Sequence, residues 1–155
     1  MKRLLIIDGL NMFLRSYIIN PTMDPNGIAI GGCIGFLKSL QKCVRDYNPD
    51  EVIVAWDGHG GSLKRRTMNK SYKEGRKPLR FNRRMITLNP KDQEKNKAYQ
   101  QIRAMQYLNE LPVIQIMIDH VEADDVIARL VTVNFKTEDC AIISTDRDFF
   151  QGDPQ

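Results

Sequence analysis

With 155 residues, 42% of them hydrophobic, and a formal net charge of +4, the chain can bury one core and is too short for two ordinary domains. Its cysteines, Cys33, Cys43 and Cys140, are odd in number and lack zinc-type spacing, which excludes a disulfide scaffold and a Cys/His zinc site and fits a reducing compartment. The apolar run Leu4 to Ile7 is far shorter than the ~20 residues of a membrane span, so a cytoplasmic protein is expected.

In chain order, Leu4-Leu5-Ile6-Ile7 is a β-type apolar run ending on Asp8-Gly9, as a strand buried on both faces does when it emerges into a loop. Taken alone, Asp8 reads as a turn aspartate before glycine. Asn11 to Ile19 predicts a short helix, closed by Pro21 and the turn Asp24-Pro25-Asn26-Gly27. From Ile28 to Tyr47, Ile30, Cys33, Ile34, Leu37, Leu40 and Val44 recur at helical spacing, with Lys38, Gln41, Lys42 and Arg45 largely opposite; this predicts a core-facing amphipathic helix. Gly31, Gly32 and Gly35 near its start point to close approach, by a neighbouring element rather than by a nucleic-acid backbone. Glu51 to Trp56 predicts a second buried strand that again ends on Asp-Gly, here Asp57-Gly58, with Trp56 in the core. The repetition matters because open α/β sheets bind ligands at the C-terminal ends of their strands.

His59 to Arg84 changes character. Lys64, Arg65, Arg66, Lys70, Lys73, Arg76, Lys77, Arg80, Arg83 and Arg84 face the single acid Glu74. Such a run is ordinarily a solvated surface. Here Tyr72 and Phe81 interleave with the cations just after a candidate aspartate, a pattern suited to phosphate contact combined with base stacking. Nucleic-acid binding is therefore expected from Lys64, Arg65, Arg66, Lys70, Tyr72, Lys73, Arg76, Lys77 and Arg80, in a basic segment (59–90) of one domain (1–155).

Lys91 to Glu110 predicts a surface helix with Ala98, Ile102, Met105 and Leu108 as its apolar line. Val113 to Ile118 is a third strand. Val121 opens a helix to about Phe135 with Val126, Ile127, Leu130 and Val131 buried, and Cys140 to Ile143 is a fourth strand leading into Ser144-Thr145-Asp146. Strands alternating with helices imply a three-layer α/β fold, a parallel sheet with helices on both faces.

Glu122, Asp124 and Asp125 occupy the first turn of their helix, where the dipole favours acids, but three exceed what capping needs. Together with Asp8, Asp57, Asp146 and Asp148 they would gather at one end of the sheet, where like charges repel unless a cation intervenes. Hard oxygen ligands without His or Cys select Mg²⁺ or Mn²⁺ over zinc. Two such ions about 3.5–4 Å apart polarise a phosphodiester, acidify an attacking water and stabilise the leaving oxygen. Cations must then bring the phosphates in. Lys73 and Arg76, three apart, are the candidates to stabilise charge in the transition state. His120, beside the cluster, reads as an ordinary loop histidine.

In these motifs the chain resembles the 5′-nuclease superfamily, the flap endonucleases and 5′–3′ exonucleases, especially their phage and bacterial branch. Leu5-Ile6-Ile7-Asp8-Gly9 and Val54-Ala55-Trp56-Asp57-Gly58 are similar to its first two metal-bearing strands. Lys64-Arg65 followed by Ser71-Tyr72-Lys73-Glu74-Gly75-Arg76 is similar to its arch element. Val121 to Ala128 and Ser144 to Gln151 are similar to the remaining acidic motifs. The resemblance implies a PIN-like sheet and a two-metal site, with Asp8, Asp57, Glu122, Asp124 and Asp146 nearer the first Mg²⁺ or Mn²⁺ and Asp125 and Asp148 serving the second. It implies a helical arch over the 5′ single strand, with Lys73 and Arg76 on the scissile phosphate. The implied activity is Mg²⁺-dependent 5′–3′ exonuclease and flap endonuclease action in DNA replication and repair. The implied partners are DNA with a 5′ single-stranded end or flap, RNA–DNA hybrids and replication proteins, with no membrane. Family members continue into a helix–three-turn–helix module that adds carboxylates to the second metal. This sequence stops at Gly152-Asp153-Pro154-Gln155, so the second metal site is expected to be incomplete.

Two other readings stay open on the residues alone: a PIN-like ribonuclease, which shares the sheet and acidic pocket, and a catalytically weak nucleic-acid-binding fragment.

Overall fold

The computed structural model describes residues 1–61, 89–136, 138–143 and the backbone of strand 149–151. The elements run β1 (Arg3–Asp8), α1 (Gly9–Ile19), α2 (Gly31–Tyr47), β2 (Glu51–Trp56), α3 (Pro90–Asn109), β3 (Val113–Met117), α4 (Ala123–Arg129), a π-helical turn (Leu130–Asn134), β4 (Asp139–Ile143) and β5 (Phe149–Gln151). They form a five-stranded sheet of order β3-β2-β1-β4-β5. The first four strands are parallel, as the alternation of strands and helices requires, and β5 returns antiparallel along β4 with Ile143 opposite Phe149. This fifth strand is an addition to the four expected. Three residues are too few to carry a strand pattern of their own.

The strands are apolar throughout because both faces are covered. On one face Leu5, Ile7, Val54 and Trp56 pack against Phe13 and Tyr17 of α1, Phe36 and Leu40 of α2, and Ala104 and Leu108 of α3. On the other, Leu4, Ile6, Ile53 and Ala55 meet Ala123, Val126 and Ile127 of α4 and Leu130 of the π turn. Trp56 is core, as expected: its ring lies 5.6 Å from that of Phe36, and its indole N–H donates to Gln115 Oε1 at 2.9 Å.

The helices differ from their predicted faces or ends: α1 starts at Gly9 rather than Asn11, α2 starts at Gly31 rather than Ile28 and buries Phe36 and Tyr47 beside Cys33 and Leu40, and α3 and α4 depart further. In α3, Ala98 and Ile102 are exposed, and the buried line is Gln93, Gln100, Ala104 and Leu108. The polar members are buried because α3 lies on the start of α2, whose backbone needs partners. Gln100 Oε1 accepts from the Cys33 amide at 3.0 Å, Gln100 Nε2 donates to Asn96 Oδ1 at 2.7 Å, and Asn96 Nδ2 donates to Ala29 O at 3.0 Å. Ile30, at the N-cap of α2, has no side-chain oxygen with which to do this locally. The glycines of α2 serve close packing: a Cβ on Gly31 would stand 2.0 Å from the Asn20 carbonyl oxygen. The helix expected to reach Phe135 is α-helical only to Arg129. Its continuation holds the β-branched run Val131-Thr132-Val133, and Thr132 Oγ1 donates back to Ala128 O at 2.7 Å, both of which disfavour a regular last turn. Among the described residues no helix is long and apolar enough to cross a membrane.

Candidate metal centre at the carboxyl edge of the sheet

β1 and β2 pair in parallel with Asp8 opposite Ala55. Side chains alternate along a strand, so Asp8 follows Leu4 and Ile6, and Asp57 follows Ile53 and Ala55, onto the face that α4 covers. The chain enters α4 at the same edge. Its approach is fixed by hydrogen bonds between two loops: Gly58 N donates to Val121 O and His120 N to His59 O, each at 2.9 Å. The Ala123 amide, the first of α4, donates to Asp57 Oδ1 at 2.7 Å. Asp57 thus caps a helix remote in sequence. Glu122, which occupies the N-cap position, makes no capping hydrogen bond with its own side chain and is 3% exposed.

Asp8 is 9% exposed and caps α1, its Oδ1 accepting from the Asn11 amide at 3.1 Å. Burial pushes its carboxyl up to about 7; the Asn11 amide pulls the other way, while the charges of Asp124 and Asp57 and a hydrogen bond with Asp124 push further in the same direction as burial. Without a cation, Asp8 therefore holds its proton close to neutrality. Asp124 is exposed and Asp125 half-buried, both in the first turn of α4.

Asp57 and Asp124 are therefore each brought into electrostatic range of Asp8, with Glu122 and Asp125 on the same helix start as Asp124. Among the described residues no group of three or more His, Cys, Asp or Glu side chains is arranged to hold a metal ion. The described donors are all carboxylate oxygens; burial, and then the charges of Asp124 and Asp57, raise Asp8, and that chemistry suits a hard divalent cation. Asp146 and Asp148 lie outside the described residues, as do Lys64, Arg65, Arg66, Lys70, Tyr72, Lys73, Arg76, Lys77 and Arg80. The last residue of β4, Ile143, pairs with Ile7, one residue before Asp8. At the opposite edge acids meet cations, in Lys2–Glu51 at 2.8 Å and Arg3–Asp139 at 3.6 Å. Sequence reasoning did not find the loop residues that join Asp57 to α4. The available signals were the glycines of Gly58-His59-Gly60-Gly61, spaced for backbone contact.

Residues 3–152 match the family model described as the 5′–3′ exonuclease N-terminal resolvase-like domain. The chain belongs to this family. It is 33% identical over 153 residues to the flap endonuclease Xni of Shewanella woodyi, covering 97% of this chain and 53% of that protein. It is 31% identical over 152 residues to the DNA polymerase I of Caldicellulosiruptor bescii, covering 96% of this chain and 16% of the polymerase. The chain thus spans about half the length of the flap endonuclease it matches. Among solved structures, the T5 D15 flap endonuclease in a pseudo-enzyme–product complex with DNA and metal ions superposes with a TM-score of 0.67 at 18% identity, covering 97% of this chain and 58% of that one. T5 D15 protein co-crystallised with metal ions gives 0.65 at 19% identity, covering 94% and 49%. These structural likenesses show the α/β fold anticipated from the motifs, a mainly parallel sheet with helices on both faces.

Proposed function

We propose that this chain carries the catalytic carboxylates of a divalent-metal-dependent 5′-nuclease, which hydrolyses phosphodiester bonds in DNA bearing a 5′ single-stranded end or flap. One observation carries the reading: at the carboxyl edge of the sheet the buried Asp8 interacts with Asp57 of the neighbouring strand's end and with Asp124 at the head of α4, and burial together with these charges raises its carboxyl to about 7. Family membership supports it, as do the names of the relatives, which are flap endonucleases and a DNA polymerase I.

Asp8, Asp57, Glu122, Asp124 and Asp146 would hold the first ion, and Asp125 and Asp148 would serve the second, with Mg²⁺ or Mn²⁺ suited to all-oxygen donors. When bound, such ions supply positive charge for the scissile phosphate and lower the pKa of an attacking water. Of the chain's own residues, Asp57 keeps one oxygen on α4 and so orients its carboxylate, and Asp8 is oriented in the same way by the Asn11 amide. Lys73 and Arg76, in a basic arch spanning about 59–90, would steady the phosphate as charge develops. RNA in RNA–DNA hybrids is a further substrate, and replication proteins in the cytoplasm are the partners consistent with it.

A second reading, a nucleic-acid-binding portion that cleaves weakly by itself, draws on the described acids, which do not form a metal-holding group of three. Mn²⁺ titration calorimetry and cleavage of a 5′-flap DNA decide between them. The nuclease reading expects a saturable Mn²⁺ site and turnover that Asp8→Asn or Asp146→Ala abolishes with the fold intact. Unchanged turnover in both variants would reject it. Preferential cleavage of single-stranded RNA would point instead to a ribonuclease.

A further inference from the structure

We propose that Gly58 is a positioning residue for the carboxylate cluster, acting by letting the loop after β2 lie directly on the loop before α4; the idea rests on the metal-site reading above. A Cβ at Gly58 would stand 1.7 Å from the Ile118 carbonyl oxygen and 2.5 Å from its carbon, both backbone atoms that cannot swing aside. At Gly61 a Cβ would come within 3.0 Å of the Val121 backbone. With side chains absent at both places, the two loops are spliced by Gly58 N to Val121 O, by His120 N to His59 O, and by Ala123 N to Asp57 Oδ1. The turn that makes this possible puts His120 at φ 64 and Gly60 at φ 69, both in the left-handed region, with the His120 ring beside Gly60.

The splice helps determine where the acids sit, because it sets the path into the first turn of α4, whose own core contact there is the small, fully buried Ala123. The helix is only seven residues long, too short to be stable by itself. Of its buried residues, Ala123 touches the core with a single methyl at the start, and the larger Val126 and Ile127, with Leu130 beyond, anchor the later part. Glu122, Asp124 and Asp125 precede that anchor, and their distance from Asp8 and Asp57 follows from the path of residues 118–123 over 57–61. Asp57 then has two tasks: one oxygen caps α4 and so helps to place the helix whose acids share its site.

The test uses the whole chain and four proteins: wild type, Gly58→Ala, the milder Gly61→Ala, and Leu108→Ala as a destabilised control in the opposite core. Amide hydrogen exchange of Ala123 and His120 reads the splice without metal, and Mn²⁺ calorimetry reads the site. Gly58→Ala is expected to lose protection at both amides and to weaken Mn²⁺ binding about tenfold or more, as loss of an outer-shell support does. Gly61→Ala is expected to change both in the same direction and by less, and it decides the matter if Gly58→Ala does not fold. Leu108→Ala should leave both readouts near wild type at a comparable loss of thermal stability. Equal weakening of Mn²⁺ in Leu108→Ala, or tight Mn²⁺ in both glycine variants, overturns the positioning role. A wild-type chain with protected amides and no Mn²⁺ site would instead overturn the metal reading, and the positioning role with it.

Discussion

The two faces of the sheet are built unequally. One carries α1, α2 and α3 over a broad apolar layer reaching from Ala141 to Trp56. Among the described residues the other carries α4 and one π turn, and past them Ile114 and Ile118, on and just after the edge strand β3, are about half exposed. The thick face supplies the larger part of the described core. The thin face presents a short helix start that two loops can aim, and the acids are there. A rigid scaffold on one side with placeable carboxylates on the other is the division that catalytic sites in α/β folds use repeatedly.

That contrast can be broken most strongly from the thick side. Phe36 is fully buried against Trp56, and Phe36→Ala should cost about 3–5 kcal/mol in urea unfolding while leaving Mn²⁺ affinity unchanged. Loss of Mn²⁺ binding in the folded variant would mean the two faces are not separable.

On the thin side the next effect has the opposite sign. The Asp8 carboxyl is raised from 3.8 in the unfolded chain to about 7, so between those values the folded state keeps a proton that the unfolded state has lost. Metal-free stability therefore falls as pH rises through this window and levels off above it. Asn cannot ionise yet still offers an oxygen to the Asn11 amide. Asp8→Asn should thus be more stable than wild type at pH 8 by on the order of 3 kcal/mol, the gap closing towards pH 4. Melts in EDTA across that range measure it, and a pH-independent gap would refute it.

A smaller loss is expected where the thick face is polar. Gln100→Leu strands the buried Cys33 amide and should cost about 1–3 kcal/mol, whereas at the exposed π turn Val133→Thr should stay within about 0.5 kcal/mol. Chemical denaturation of the pair ranks them, and reversal of the order would undo the assignment of α3's polar line to the core.

The sequence by itself determined the strand runs, their ends at Asp8 and Asp57, the acid-rich start of α4 and the family. Each is a local pattern: a strand buried on both faces is an unbroken apolar run, and the place where it stops is where its aspartate emerges. The fold class followed; among the described residues β5 was too short to be seen. What tertiary structure alone decided is how the ends of the helices are satisfied and therefore where the acids point. Gln100 caps α2 across 67 residues and Asp57 caps α4 across 66, while Ile30 and Glu122 occupy the local N-cap positions without supplying the side-chain bond. Periodicity could not reveal that α3 buries glutamines or that Asp57 holds a helix. Periodicity records how often a face meets apolar surroundings, and a hydrogen bond between distant segments leaves no such trace.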